Sequence, residues 1–132
     1  MIEGIFGQDF RVIERALDVQ MIRQQLLAAN IANVDTPGYR ALDVDFKESL
    51  RRVLEAEEAA RAVAEEDGAV APSFTADLKI VGIDGLLAGS SSANIELLLG
   101  RLGRNTLSYV MSADMISAKF RQLRETIDTL AR

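Results

Sequence analysis

From Ile95 to the end, the chain places residues at alternating steps of four and three: Ile95, Leu99, Leu102, Thr106, Tyr109, Ala113, Ile116, Phe120, Leu123, Ile127, Leu130. Only Thr106 in that series is not apolar. Such spacing, sustained without a slip, describes the seam of a coiled coil. One helix over about 94–131 is about 57 Å long at 1.5 Å per residue. A compact chain of 132 residues has a radius of gyration of about 14 Å and a diameter of about 36 Å. The helix therefore overhangs any compact globule, and the fold is elongated or completed by neighbours.

A second apolar set, Leu97, Leu98, Leu107, Val110, Met111 and Met115, lies off that seam. Gly100 and Gly103 sit in the same helix, each at about 1 kcal/mol relative to Ala. They mark either a close approach of another backbone or simple tolerance.

The N-terminal segment reads as a helix over about 9–32, with Asp9 as its expected N-cap. Phe10, Ile13, Leu17, Met21, Leu27 and Ile31 make one apolar stripe, and Val12, Ala16, Val19, Leu26 and Ala29 make another. Two adjacent stripes predict burial against more than one neighbour. Asn30 and Asn33 then compete for backbone hydrogen bonds, and Thr36-Pro37-Gly38 stops the helix, Gly38 supplying the positive φ of a type II turn. The loop and extended arm occupy 33–46. In the arm, Leu42, Val44 and Phe46 alternate with Ala41, Asp43 and Asp45. With no third ligand nearby, Asp43 and Asp45 are expected on a solvated face and not at a metal.

A charged helix follows over about 47–66, anchored by Phe46, Leu50, Val53 and Leu54, its second half expected to fray. Residues 67–92 are punctuated by Gly68, Pro72, Gly82, Gly85, Gly89 and Ser90-Ser91-Ser92. They read as a flexible Gly/Ser-rich middle, with a short strand somewhere in 74–83. The predicted fold class is mainly α: long N- and C-terminal helices pairing as an elongated coiled coil, with the arm and the flexible middle between them. The whole chain, 1–132, reads as one elongated rod-type domain.

Composition narrows the chemistry. The chain has no His and no Cys, which removes the commonest general base, thiolate metal sites and disulfides. No paired-acid motif, phosphate loop or nucleophile elbow is present, so a small carboxylate-dependent enzyme is disfavoured. Catalytic residues, cofactors and metals are all expected to be absent. An acidic pI near 4.8, without a basic patch, disfavours nucleic acid. No apolar run reaches the roughly 20 residues that span a bilayer, so an integral membrane protein is not expected. The start, Met1-Ile2-Glu3-Gly4-Ile5-Phe6-Gly7, lacks the parts of a secretory signal. Residues 55–67 carry six acids against Arg61, whereas 100–132 carry six Arg or Lys against three acids. That dipolar distribution suits head-to-tail packing of copies, although solvated helix faces are the favoured explanation of such charge runs.

Ala29, Asn30, Ala32, Asn33, Thr36, Pro37, Gly38 and Tyr39 form an A-N-x-A-N-x-x-T-P-G-Y signature, and Asn105-Thr106-Leu107-Ser108-Tyr109 an N-x-L-x-Y. On these residues the chain resembles the flagellar rod and hook family, the axial proteins of the bacterial flagellum, over residues 9–50 and 94–131. The resemblance implies that the terminal helices pair through a seam including Leu99, Leu102, Tyr109, Ile116, Phe120, Leu123 and Ile127. It implies that the loop contacts neighbouring subunits through Asn30, Asn33, Thr36, Pro37, Gly38 and Tyr39. The implied function is that of a structural subunit of the proximal rod, exported without a cleaved signal peptide to the periplasmic part of the basal body. Implied partners are further copies of the chain, the axial proteins FlgC, FlgF and FliE, and the membrane ring and export gate at the rod base. The family's Asp-Gly-Asn-x-Val element before the last helix is replaced here by Gly89-Ser90-Ser91-Ser92-Ala93, so contacts at that turn do not carry over. A soluble dimeric coiled-coil adaptor, or another short rod member such as FlgC, remains the alternative.

Overall fold

The computed structural model describes residues 2–67, 77–87 and 89–131. In chain order it comprises α1 (Ile2–Ala32), β1 (Leu42–Val44), α2 (Phe46–Asp67), β2 (Ile80–Gly82), a 3-10 turn (Asp84–Leu86) and α3 (Ser91–Leu130). The fold is mainly α, with its two long terminal helices packed against each other.

These two helices run antiparallel. Near the start of α1, Phe10 meets Phe120 with ring centroids 4.8 Å apart. In mid-helix, Asn105 Nδ2 donates to the carbonyl of Gln20 at 2.9 Å. At the far end, Leu27 and Leu98 are buried in one cluster. α3, at 40 residues, is about 60 Å long.

α1 begins well before Asp9, which is therefore not its N-cap. A capping preference marks where a helix is free to end. Here α3 lies alongside, and its Lys119 Nζ takes the Asp9 carboxylate at 2.7 Å.

The arm turns back onto its own chain. β1 pairs antiparallel with β2 in the register Leu42↔Gly82, Asp43↔Val81, Val44↔Ile80. Bonds from Ile83 N to Ala41 O (3.0 Å) and from Asp45 N to Lys79 O (2.9 Å) lengthen the ladder at both ends. Residues 67–92, read as a flexible middle with a short strand in 74–83, contain β2, the 3-10 turn and the first two residues of α3; positions 68–76 and 88 of that stretch lie outside the described residues. Its ordering comes from pairing partners distant in sequence, which local Gly and Ser content does not reveal. Ser90 caps α3, its Oγ accepting from Ala93 N at 3.4 Å, so a serine does the work at the turn where the sequence departs from the resembled family.

α2 starts at the arm's end, where Asp45 Oδ1 accepts from Glu48 N at 3.2 Å. That is an N-cap. Val53 is buried and Ser49 fully so, the Ser49 hydroxyl accepting from Lys79 N at 2.9 Å. Farther along, Glu57 pairs with Arg15 of α1, after which 61–63 are exposed.

The main apolar cluster joins four elements: Leu27 from α1, Ala41 beside β1, Ile83 after β2 and Leu98 from α3, with Ile31, Val34, Leu87 and Leu102 packed around it. Burying a Leu or Ile side chain contributes about 1.5–3 kcal/mol. This knot therefore holds the helix pair closed at the end where the loop emerges.

Candidate functional site

Asn30 lies on the last turn of α1, fully buried, and clamps the backbone of the arm. Its Nδ2 donates to Leu42 O at 2.6 Å, and its Oδ1 accepts from Leu42 N at 3.1 Å. A single side-chain amide thus meets both polar groups of one residue, as a neighbouring strand would. Only Asn or Gln carries a donor and an acceptor in that fork. The Tyr39 hydroxyl adds a bond to the same Oδ1 at 3.3 Å.

Asn33 serves the helix end. Its Nδ2 donates to Ala29 O at 2.9 Å, and its Oδ1 accepts from the Thr36 hydroxyl at 3.3 Å. Thr36 O in turn accepts from Tyr39 N at 3.2 Å, closing a β-turn with Pro37 and Gly38 at its corners. Gly38 has φ +76°, which fits the third position of a type II turn. A Cβ there meets no other atom of the described residues within 4 Å, so the dihedral angle is the constraint. Gly38→Ala is expected to cost about 1 kcal/mol, read as a lowered urea midpoint with unchanged helical signal.

Asp43 overturns the expectation of a solvated face. Only 2% exposed, it accepts from Arg23 Nε (2.7 Å) and Nη2 (2.9 Å) of α1, and from Arg101 Nη1 (2.7 Å) of α3. Its own strand contributes Val44 N at 2.7 Å. Burial opposes its ionisation, but the bonds and charge of Arg23, with help from Arg101, outweigh that and hold the carboxyl below the usual range. One carboxylate therefore ties the arm to both terminal helices. Asp84, after β2, adds a parallel tie: its Oδ1 accepts from Ala41 N at 2.7 Å. None of Arg23, Asp43, Asp84 and Arg101 was selected from sequence as a site residue. Their pairing spans separations of 20 to 58 residues, and no spacing rule reports it.

The six loop residues therefore divide. Asn30 and Asn33 are engaged within the chain, and a polar hollow of about 160 Å³ lies between them, Tyr39, Asp84 and Asn94. Thr36, Pro37, Gly38 and Tyr39 are exposed, presenting a fixed turn with an aromatic ring at its edge. Among the described residues no group of His, Cys, Asp and Glu is arranged to hold a metal ion, and no helix is long and apolar enough to cross a membrane.

The predicted seam is placed differently along its length. Leu102 packs on the main cluster, while Ile116 and Leu123 are half-buried. Leu99 is 50% exposed, Phe120 and Ile127 each 57%, and Tyr109 sits at the edge. The buried positions of α3 are instead Leu98 and Asn105, each one residue before a predicted seam member. Leu107, Val110, Met111 and Met115 are exposed as well, and among the described residues no other element comes within 4 Å of a Cβ placed on Gly100 or Gly103.

Residues 10–40 match the family model described as "Flagella basal body rod protein". The chain is 51% identical over 45 residues to the flagellar basal body rod protein FlgB of Escherichia coli (strain K12), a match covering 34% of this chain and 33% of the relative. FlgB of Salmonella typhimurium is 52% identical over 44 residues, covering 33% and 32%. FlgB of Yersinia ruckeri is 49% identical over 55 residues, covering 42% and 39%. The similarity thus spans roughly a third of the length of these relatives.

Proposed function

We propose, from an N-terminal segment that matches the flagella basal body rod family, that this chain is a structural subunit of the proximal rod. The observation that carries the reading is the coincidence of the matched segment with α1 and the clamped Thr36–Tyr39 turn. The rod reading gives a task to both halves of the loop. The inner half, Asn30 and Asn33, fixes the turn; the outer half, Thr36, Pro37, Gly38 and Tyr39, is offered to a neighbouring subunit. Leu99 and Ile127 of α3 are offered with it. Partners are further copies of the chain and the other axial proteins, FlgC, FlgF and FliE among them, with the membrane ring and export gate at the base. The subunit works by stacking in the periplasmic rod that transmits torque and carries no catalytic step.

Deleting the gene in its own host is expected to abolish swimming and to leave basal bodies without rods in electron micrographs. The intact gene restores both, and a version lacking Thr36–Tyr39 restores neither. Normal rods and swimming after deletion overturn the reading in favour of a dimeric coiled-coil adaptor.

A further inference from the structure

Two columns of α3 compete for the face turned towards α1. One is largely apolar: Leu99, Thr106, Ala113, Phe120, Ile127. The other, one residue earlier, reads Leu98, Asn105, Ser112, Lys119, Thr126. Removal of apolar surface from water favours the first. The structure adopts the second around its polar layer: Leu98 is fully buried and Asn105 nearly so, whereas Leu99 is half exposed; farther along, Phe120 keeps one edge against Phe10 of α1.

Hydrogen bonds hold this choice. Asn105 Nδ2 donates to Gln20 O at 2.9 Å and to Gln24 Oε1 at 2.7 Å. Gln24 Nε2 passes the chain on to the Thr106 hydroxyl at 2.9 Å, and Gln20 Nε2 lies 3.4 Å from the Ser112 hydroxyl. The layer is a poor stabiliser, since Gln20 Oε1 is buried with no partner among the described residues. A polar layer in a helix seam nevertheless selects one arrangement, because every other orphans its members.

We propose that Asn105, with Gln20 and Gln24 as partners, is the residue that sets the rotation of α3 against α1, keeping Leu99 and Ile127 turned outwards. This is a property of the single chain and does not depend on the rod reading. Rotating α3 by one residue, about 100°, exchanges the two columns and hides the apolar one.

The chain has no cysteine, so single thiols report the rotation. Leu99→Cys and Ser112→Cys are each introduced into the full chain, and alkylation by iodoacetamide is timed in the cold. In the parent background the Leu99→Cys thiol is expected to react faster than the Ser112→Cys thiol. Adding Gln24→Leu with Asn105→Leu is expected to slow the first at least tenfold and to accelerate the second. Gln20→Leu leaves the main-chain carbonyl that Asn105 uses, and is expected to leave both rates within twofold of the parent. Unchanged rates in the double substitution overturn the proposal. So do rates that become fast at both positions with loss of helical circular dichroism, since the apolar column would then have failed to take over. A column exchange produced by Gln20→Leu alone also overturns it, by removing Asn105 as the selector.

Discussion

Asp43→Ala is expected to destabilise the folded chain by about 3 kcal/mol, seen as a lowered midpoint in urea by circular dichroism. Removing one member of a buried ion pair costs about 3–5 kcal/mol, because the charge left behind has no partner. Two guanidinium groups lose their acceptor here, Arg23 and Arg101, with side chains 25% and 20% exposed. That partial access to water lets them rehydrate, which places the value at the low end. The substitution also releases the arm from both helices, so a single cooperative loss is expected, not a separate early melting of β1.

The same carboxylate sets an acid limit. Its folded-state pKa lies below the ordinary value, so it contributes stability that is fully present above the unfolded pKa, near 3.9. That contribution is lost as the pH falls through the lower, folded value. Between pH 7 and 5 stability from this group is flat, and below about pH 4 it falls. In Asp43→Asn the acid-dependent part is expected to shrink, which a comparison of urea midpoints at pH 6 and pH 3.5 measures. Equal acid losses in parent and variant would place the sensitive group elsewhere.

Asn30→Ala is expected to cost roughly 2–3 kcal/mol, since each polar group left without a partner costs about 1–3 kcal/mol. Leu42 loses the partner of its N–H and the partner of its carbonyl at once, and Tyr39 loses its tie. Water admitted past the exposed turn moderates the loss. Asn30→Asp makes the sharper comparison, because it keeps the acceptor and removes the donor. It is expected to fall between parent and Asn30→Ala in thermal melts. Amide exchange at Leu42 and Tyr39 should accelerate in both variants while the middle of α1 stays protected. Unaltered exchange at Leu42 would show that the clamp contributes nothing to the arm.

The helices were legible in the sequence because their signals are local. Periodicity marked α1 and α3, Pro37 and Gly38 stopped the first, and the Phe46–Val53 anchors marked α2. The turn was legible for the same reason: a positive φ demands glycine. What depends on pairing across the chain was not. Asp43 reads as a solvated acid because its arginines lie 20 and 58 residues away. β2 falls in the 74–83 stretch where a short strand is expected, but its pairing with β1 does not show, because the partner strand precedes it by a whole helix. The rotation of α3 misled for an energetic reason: apolar pattern predicts the column with the most to bury, and the hydrogen bonds of Asn105 select the neighbouring one. A polar residue at heptad spacing from Leu98, as Asn105 and Ser112 are, was the available hint.

The antiparallel course of α1 and α3 has a mechanical consequence. The beginning of α1 and the end of α3 lie together at one end, beside Phe10 and Phe120, and the knot of Leu27, Ala41, Ile83 and Leu98 lies at the other. A pull that separates the two helices at the open end peels them apart layer by layer. Each layer then carries the whole load alone. A load along the long axis, sliding one helix past the other, is instead shared by every layer from Phe10 to Leu27 at the same moment. The molecule is therefore weak to opening and strong to sliding, the anisotropy expected of a strut.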